Sequence, residues 1–183
     1  MSDELLIMHC SPTLAGIKTG SMFTCPVASP AELKSEIRRL NRILVPKGLR
    51  ALPLKTGGGR ALIYVYRPAL LSADLSDAQA RDILRRAGYC CKSADRCVIK
   101  LISRLREEKG FPHEIGLFLS YPPEDVRGFV ENGGRNCKCV GCWKVYGDER
   151  KARLTFERYA RCTRSYSRCW EKGKTIDQLT VPV

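Results

Sequence analysis

Apolar positions recur at helical spacing in several segments of the chain and bunch into short β-branched or aromatic runs in others. After Ser29-Pro30, the residues Leu33, Ile37, Leu40 and Leu44 fall on one face, and Pro46 and Gly48 end the run. That pattern predicts an amphipathic helix. A second helix is expected from a cap at Ser76 to Gly88. A third starts at a Ser93 cap and turns Cys97, Val98, Leu101, Ile102 and Leu105 inward. A fourth begins at Pro122-Pro123, carries Glu124 and Asp125 in its first turn and stops at Gly133-Gly134. The longest is expected in DERKARLTFERYARCTRSYSRCWEKG, which starts at Asp148.

The runs without helical spacing read as strands. LLIMHC at 5–10 is expected to be a short buried strand, followed by a helix start with Ser11 as N-cap and Pro12 in the first turn. Gly16, Thr19 and Gly20 keep that helix short. LRALPLK at 49–55 and ALIYVYRP at 61–68 are expected to pair as a hairpin across TGGG. Further strands are expected at 115–121 and in WKVYG at 143–147, and the tail TIDQLTVPV carries weak signals. Strands and helices therefore mix through the whole chain. This favours an α/β single domain over 1–183, with a central mixed sheet of about five strands and helices on its faces. The core is expected over about 9–166, with 171–183 as a weakly structured tail.

Composition changes this picture in two places. Ten cysteines in 183 residues is a high count, and the formal net charge is +13. With 44% hydrophobic and 28% charged residues, a chain this long can bury a core without needing disulfides to fold. MSDELLIMHC is acidic with a short apolar run, and nothing approaches the length of a membrane span. A cytoplasmic protein with reduced thiols is expected, so some thiols point to metal or catalytic chemistry and the isolated ones to small buried hydrophobes. The charge raises nucleic acid or another polyanion as a partner.

The densest chemistry is NCKCVGCWKVYGD, where Cys137, Cys139 and Cys142 form C-x-C-x-x-C. Thiolates at this density hold zinc or an iron–sulfur cluster, or do redox work, or pack a turn. A closed zinc site takes four ligands, and the motif supplies three. His9 and Cys10 are expected where a strand ends and a helix begins. There the positive end of the helix dipole lowers a thiol pKa. His113-Glu114, in FPHEIG, is a candidate general base or ligand. It lacks the second histidine of H-E-x-x-H, and TGGG is too short for a phosphate-binding loop. On the last helix, Arg150, Arg153, Arg161, Arg164 and Arg168 share a stripe that could track phosphates. Ala152, Phe156, Tyr159, Cys162, Tyr166 and Trp170 cover the opposite side.

Taken together, HCSPTLAGIKTGSMF, IYVYRP, FPHEIGLFLSYPPEDVRGFVENGG and NCKCVGCWKVYGDERKA resemble a bacterial family known only as a domain of unknown function, the one numbered 3793. The resemblance covers residues 9–166 and implies a concentration in anaerobic bacteria, with no established activity, substrate or cofactor. It places His9, Cys10, His113, Glu114, Cys137, Cys139 and Cys142 in the signature blocks. Cys25, Cys90, Cys91, Cys97, Cys162 and Cys169 carry no signature spacing.

The leading expectation is a thiolate site with Cys137, Cys139 and Cys142 in contact with a transition metal or cluster, or doing redox work. Cys10 or His9 would complete it, with His113 and Glu114 nearby. A basic nucleic-acid-binding module with structural cysteines is the first alternative. An enzyme with a cysteine nucleophile and a histidine base is the second.

Overall fold

The computed structural model describes residues 2–107 and 110–182. The chain divides into two compact units, one of residues 1–69 with 161–183 and one of residues 70–160. The first opens with helix α1 (Asp3–Leu14). This corrects the strand expected at 5–10. Ser2 caps the helix by accepting from the Leu5 amide, Asp3 and Glu4 sit in its first turn, and Leu6, Ile7, Cys10 and Leu14 are buried along it. Ser11 is not an N-cap but an interior residue, its hydroxyl donating to the Ile7 carbonyl. Pro12 lies inside the helix as well.

Strand β1 (Gly20–Pro26) follows, then α2 (Pro30–Leu44), and then β2 (Arg50–Gly57) and β3 (Arg60–Tyr66). The expected hairpin is present: Gly57 faces Arg60, and the two turn residues Gly58 and Gly59 take φ of 57° and 69°. Two consecutive positive φ values make the turn whose twist matches paired strands, and glycine adopts them without strain. The sheet is antiparallel, in the order β1-β3-β2, with Gly20 and Arg50 both opposite Tyr66. Leu40 and Leu44 of α2 and Leu6 and Cys10 of α1 close one core with Ala51, Ile63 and Val65 of the sheet.

Arg67, immediately after β3, is 1% exposed. Its guanidinium donates to the carbonyls of Thr13 (2.8 Å), Leu14 (2.8 Å), Lys47 (3.3 Å) and Val181 (2.7 Å). Thr13 and Leu14 end α1, whose last turn carries no basic residue of its own. Arg67 thus supplies the donors and the positive charge that a helix C-terminus lacks.

The second unit is helical. It takes up the chain at α3 (Pro68–Asp74) and continues through α4 (Ala78–Arg86), α5 (Ala94–Glu107), α6 (Ile115–Phe118) and α7 (Pro123–Glu131). The α4 cap is Asp77, accepting from the Gln79 and Ala80 amides, rather than Ser76. The strand expected at 115–121 is instead α6, closed by a bond from the Tyr121 amide to the Gly116 carbonyl, with Ser120 at φ 62°. A short apolar run is equally compatible with a strand and a buried helical turn, and here the turn wins. After α7 come β4 (Cys139–Val140) and β5 (Lys144–Val145), a hairpin of two residues a side.

Helix α8 (Glu149–Glu171) then runs from this unit into the first, as the longest helix expected. The tail carries a capped four-residue helix, α9 (Ile176–Leu179), with Ile176 and Leu179 buried. The described residues thus form a mixed α/β protein with one three-stranded and one two-stranded sheet. The five-strand central sheet is not formed, because two of its expected strands are helices.

Candidate functional site

The three clustered cysteines lie on and just before the β4–β5 hairpin. Cys139 faces Val145 and Val140 faces Lys144; the Gly141 amide donates to the Trp143 carbonyl (3.0 Å) and the Lys138 amide to Val145 (2.8 Å). A hairpin this short cannot hold itself in water. Asp125, buried in the first turn of α7, does the holding. Its Oδ2 accepts from the Trp143 indole N–H at 2.6 Å, and its Oδ1 from the Tyr146 and Gly147 amides, each at 2.7 Å.

Glycines admit the close packing. A Cβ on Gly141 would stand 2.2 Å from a ring carbon of Phe156, and one on Gly128 would stand 2.4 Å from the Tyr146 ring. On this scaffold Cys137 and Cys139 are half-buried and Cys142 is exposed. Lys138 and Lys144 donate to the carbonyls of Gly147 (2.6 Å) and Gly134 (2.7 Å). The Arg153 guanidinium, paired with Glu149 at 2.6 Å, lies within electrostatic reach of Cys139.

His113 and Glu114 belong to the same unit but diverge. Glu114 is 5% exposed, and its Oε1 accepts from the Tyr89 hydroxyl (2.8 Å) and pairs with Arg104 (3.1 Å). Arg104 also donates to the Ala87 carbonyl at 2.6 Å. Burial first, and then the Glu114 carboxylate, push the Tyr89 phenol up, so it stays a donor. His113 is exposed and packs edge-on against Phe129, centroids 5.0 Å apart. With Phe111 and Pro112 it forms a wall common to two cavities, one of about 380 Å³ lined by Arg104, Glu114 and Arg127, and one of about 300 Å³ lined by Tyr121, Phe129 and Trp143. Glu114 is therefore held by Tyr89 and Arg104, while the His113 ring packs on Phe129.

His9 and Cys10 belong to the other unit. His9 is exposed and stacks on Phe23 at 5.6 Å. Cys10 lies in the later turns of α1, fully buried, and not at a helix N-terminus, which corrects the premise for an activated thiol there. Burial pushes its thiol up to about 12, with the Lys18 charge acting in the opposite sense. The sign of the consequence is fixed. An acid whose pKa rises on folding favours the fold fully below its unfolded value of 9.0, and that stability is lost as pH climbs toward 12. The stability advantage of the wild type over Cys10→Ala should therefore be constant up to pH 8.5 and shrink by about 1.4 kcal/mol per pH unit above 9. Urea unfolding of both proteins from pH 8 to 10.5 measures this.

Among the described residues, no three His, Cys, Asp or Glu side chains converge so as to hold a metal ion. The five arginines of the α8 stripe are exposed, as expected. No described helix is long and apolar enough to cross a membrane. Three features escaped the sequence reading: Asp125 as the clamp of the hairpin, Tyr89 and Arg104 as partners of Glu114, and the neighbouring thiols of Cys91 and Cys97. Only Asp125 left a trace, as an acid in a helix first turn, where the dipole alone would explain it.

A family model described as a protein of unknown function, DUF3793, matches residues 6–180. No curated protein and no solved structure matches the chain.

Proposed function

Since the chain belongs to the DUF3793 family, whose description names no activity, we propose from the site itself that the hairpin cysteines are working thiols in thiol–disulfide exchange. The observation that carries this reading is the contrast among the cysteines. Cys142 is exposed on a clamped hairpin and Cys139 stands at C-x-x-C spacing from it, while Cys10, Cys25 and Cys97 are buried with thiols pushed up. Reactivity belongs to accessible thiols that ionise, not to buried ones.

The exchange balances as follows. The Cys142 thiolate attacks one sulfur of a substrate disulfide; the S–S bond breaks, and the leaving thiolate takes a proton from water. The Cys139 thiolate then attacks the mixed disulfide and releases the second substrate thiol, which is protonated in turn. The substrate gains two electrons and two protons, and Cys139 and Cys142 are left as a disulfide. Cys90, also exposed, has Cys91 as its sequence neighbour and no C-x-x-C partner.

Site-resolved alkylation near neutral pH tests the assignment. Cys142 should be labelled before Cys162 and Cys169, with Cys10 and Cys97 labelled only on unfolding. Labelling of Cys142 slower than of those helix cysteines would overturn it, and stoichiometric zinc or iron in anaerobically purified protein, lost in Cys139→Ser, would replace it with a metal site.

A further inference from the structure

The exchange steps above use no group of the aromatic cavity beside His113, and its walls describe a ligand. We infer that it binds a planar aromatic acid of about two fused rings. At about 300 Å³ it lies at the small end of ligand sites. Tyr121, Phe129 and Trp143 line it, with the Tyr121 and Trp143 rings 5.0 Å apart and inclined by 31°. Such walls offer stacking and edge contacts to a flat ring and little to a saturated one.

Charge selects an acid. Lys144 lines the cavity, donates to the Gly134 carbonyl and stands 5.8 Å from the Phe129 centroid. Among the described residues it has no carboxylate partner, so the remaining N–H donors of its ammonium are open to a ligand. The one carboxylate of the lining is Asp125, and both its oxygens are already taken by the Trp143 indole and the Tyr146 and Gly147 amides. A cationic ligand would therefore meet the Lys144 ammonium and a buried carboxylate already engaged in three hydrogen bonds, whereas an anion gains a charge-assisted bond.

The indole N–H signal of Trp143, assigned in ¹⁵N-labelled protein by its persistence in Trp170→Phe, reports on this wall directly. Three probes separate the elements of the inference: 2-naphthoate, 2-naphthylmethylammonium and cyclohexanecarboxylate. The naphthoate should shift the Trp143 signal saturably, and the other two should bind at least about tenfold more weakly. Lys144→Met should weaken naphthoate about tenfold while leaving the Trp143 indole signal of the ligand-free protein dispersed, which verifies the fold of this unit. Cys139→Ser and Cys142→Ser should bind naphthoate as the wild type does, so that this outcome is independent of the exchange reading. Equal affinity for the ammonium probe, unchanged affinity in Lys144→Met, or no saturable shift in the folded protein would each overturn the inference.

Discussion

Replacing Arg67 by leucine is expected to cost about 4 kcal/mol of folding stability, the largest effect of any single substitution considered. Leucine fills part of the space but donates nothing, so the carbonyls of Thr13, Leu14, Lys47 and Val181 lose their guanidinium donors together. Thr13 and Leu14 each keep one backbone donor, from the Gly16 and Val181 amides. The loss is therefore of charge-assisted bonds, worth about 1.5–3 kcal/mol each, offset by relief of a buried guanidinium. Typical domains hold only about 5–15 kcal/mol in total. Arg67→Lys keeps the charge but replaces the planar fork by one ammonium, which cannot reach all four carbonyls at once. It should fall between the two. Urea midpoints of the three proteins measure this, and an Arg67→Leu midpoint equal to that of the wild type would remove Arg67 from its place at the end of α1.

Asp125→Ala should be nearly as costly, about 3 kcal/mol, and its effect should be local. It removes the acceptor for the indole of Trp143 and for the amides of Tyr146 and Gly147; hydrogen bonds to a charged group are each worth about 1.5–3 kcal/mol, offset by relief of a buried carboxylate. Beyond these bonds the hairpin is held by the packing of Trp143 on Tyr121 and Phe156 and by the buried Val145, so it should loosen around the strand ends that Asp125 held. In Trp170→Phe protein the emission of Trp143, 7% exposed in the folded chain, should shift to the red, and Cys139 should be alkylated faster. Unchanged emission with a lowered melting temperature would mean that Asp125 stabilises α7 without governing the hairpin.

Legibility in the sequence followed the range over which each interaction acts. Helix α2 was readable because its N-cap Ser29 and the buried Leu33, Leu40 and Leu44 lie within one periodic run. The β2–β3 hairpin was readable because four consecutive positions, TGGG, encode its turn. Helix α1 was misread because its apolar residues begin with the run Leu5 to Met8 and Pro12 interrupts the spacing of Leu6, Cys10 and Leu14. The strand expected at 115–121 failed for a related reason, since Leu117 and Phe118 are both buried and leave no alternation to read. In the site, the cysteine motif was visible as spacing alone. Its support was not, because Asp125 acts on residues 18 to 22 positions away and Tyr89 reaches Glu114 across 25. Nor did the neighbourhood His9-Cys10 disclose that one side chain is exposed and the other sealed in the core.

The central claim is that Cys139 and Cys142 form a reversible dithiol–disulfide couple. Equilibrating the protein, without oxygen, against graded ratios of reduced and oxidised glutathione, then quenching in acid and mapping peptides by mass spectrometry, tests it directly. The account predicts a two-electron transition confined to the peptide that carries both residues, collapsing in Cys139→Ser to a glutathione adduct on Cys142. Absence of a Cys139–Cys142 disulfide at every ratio, with adducts on Cys90 instead, would contradict it.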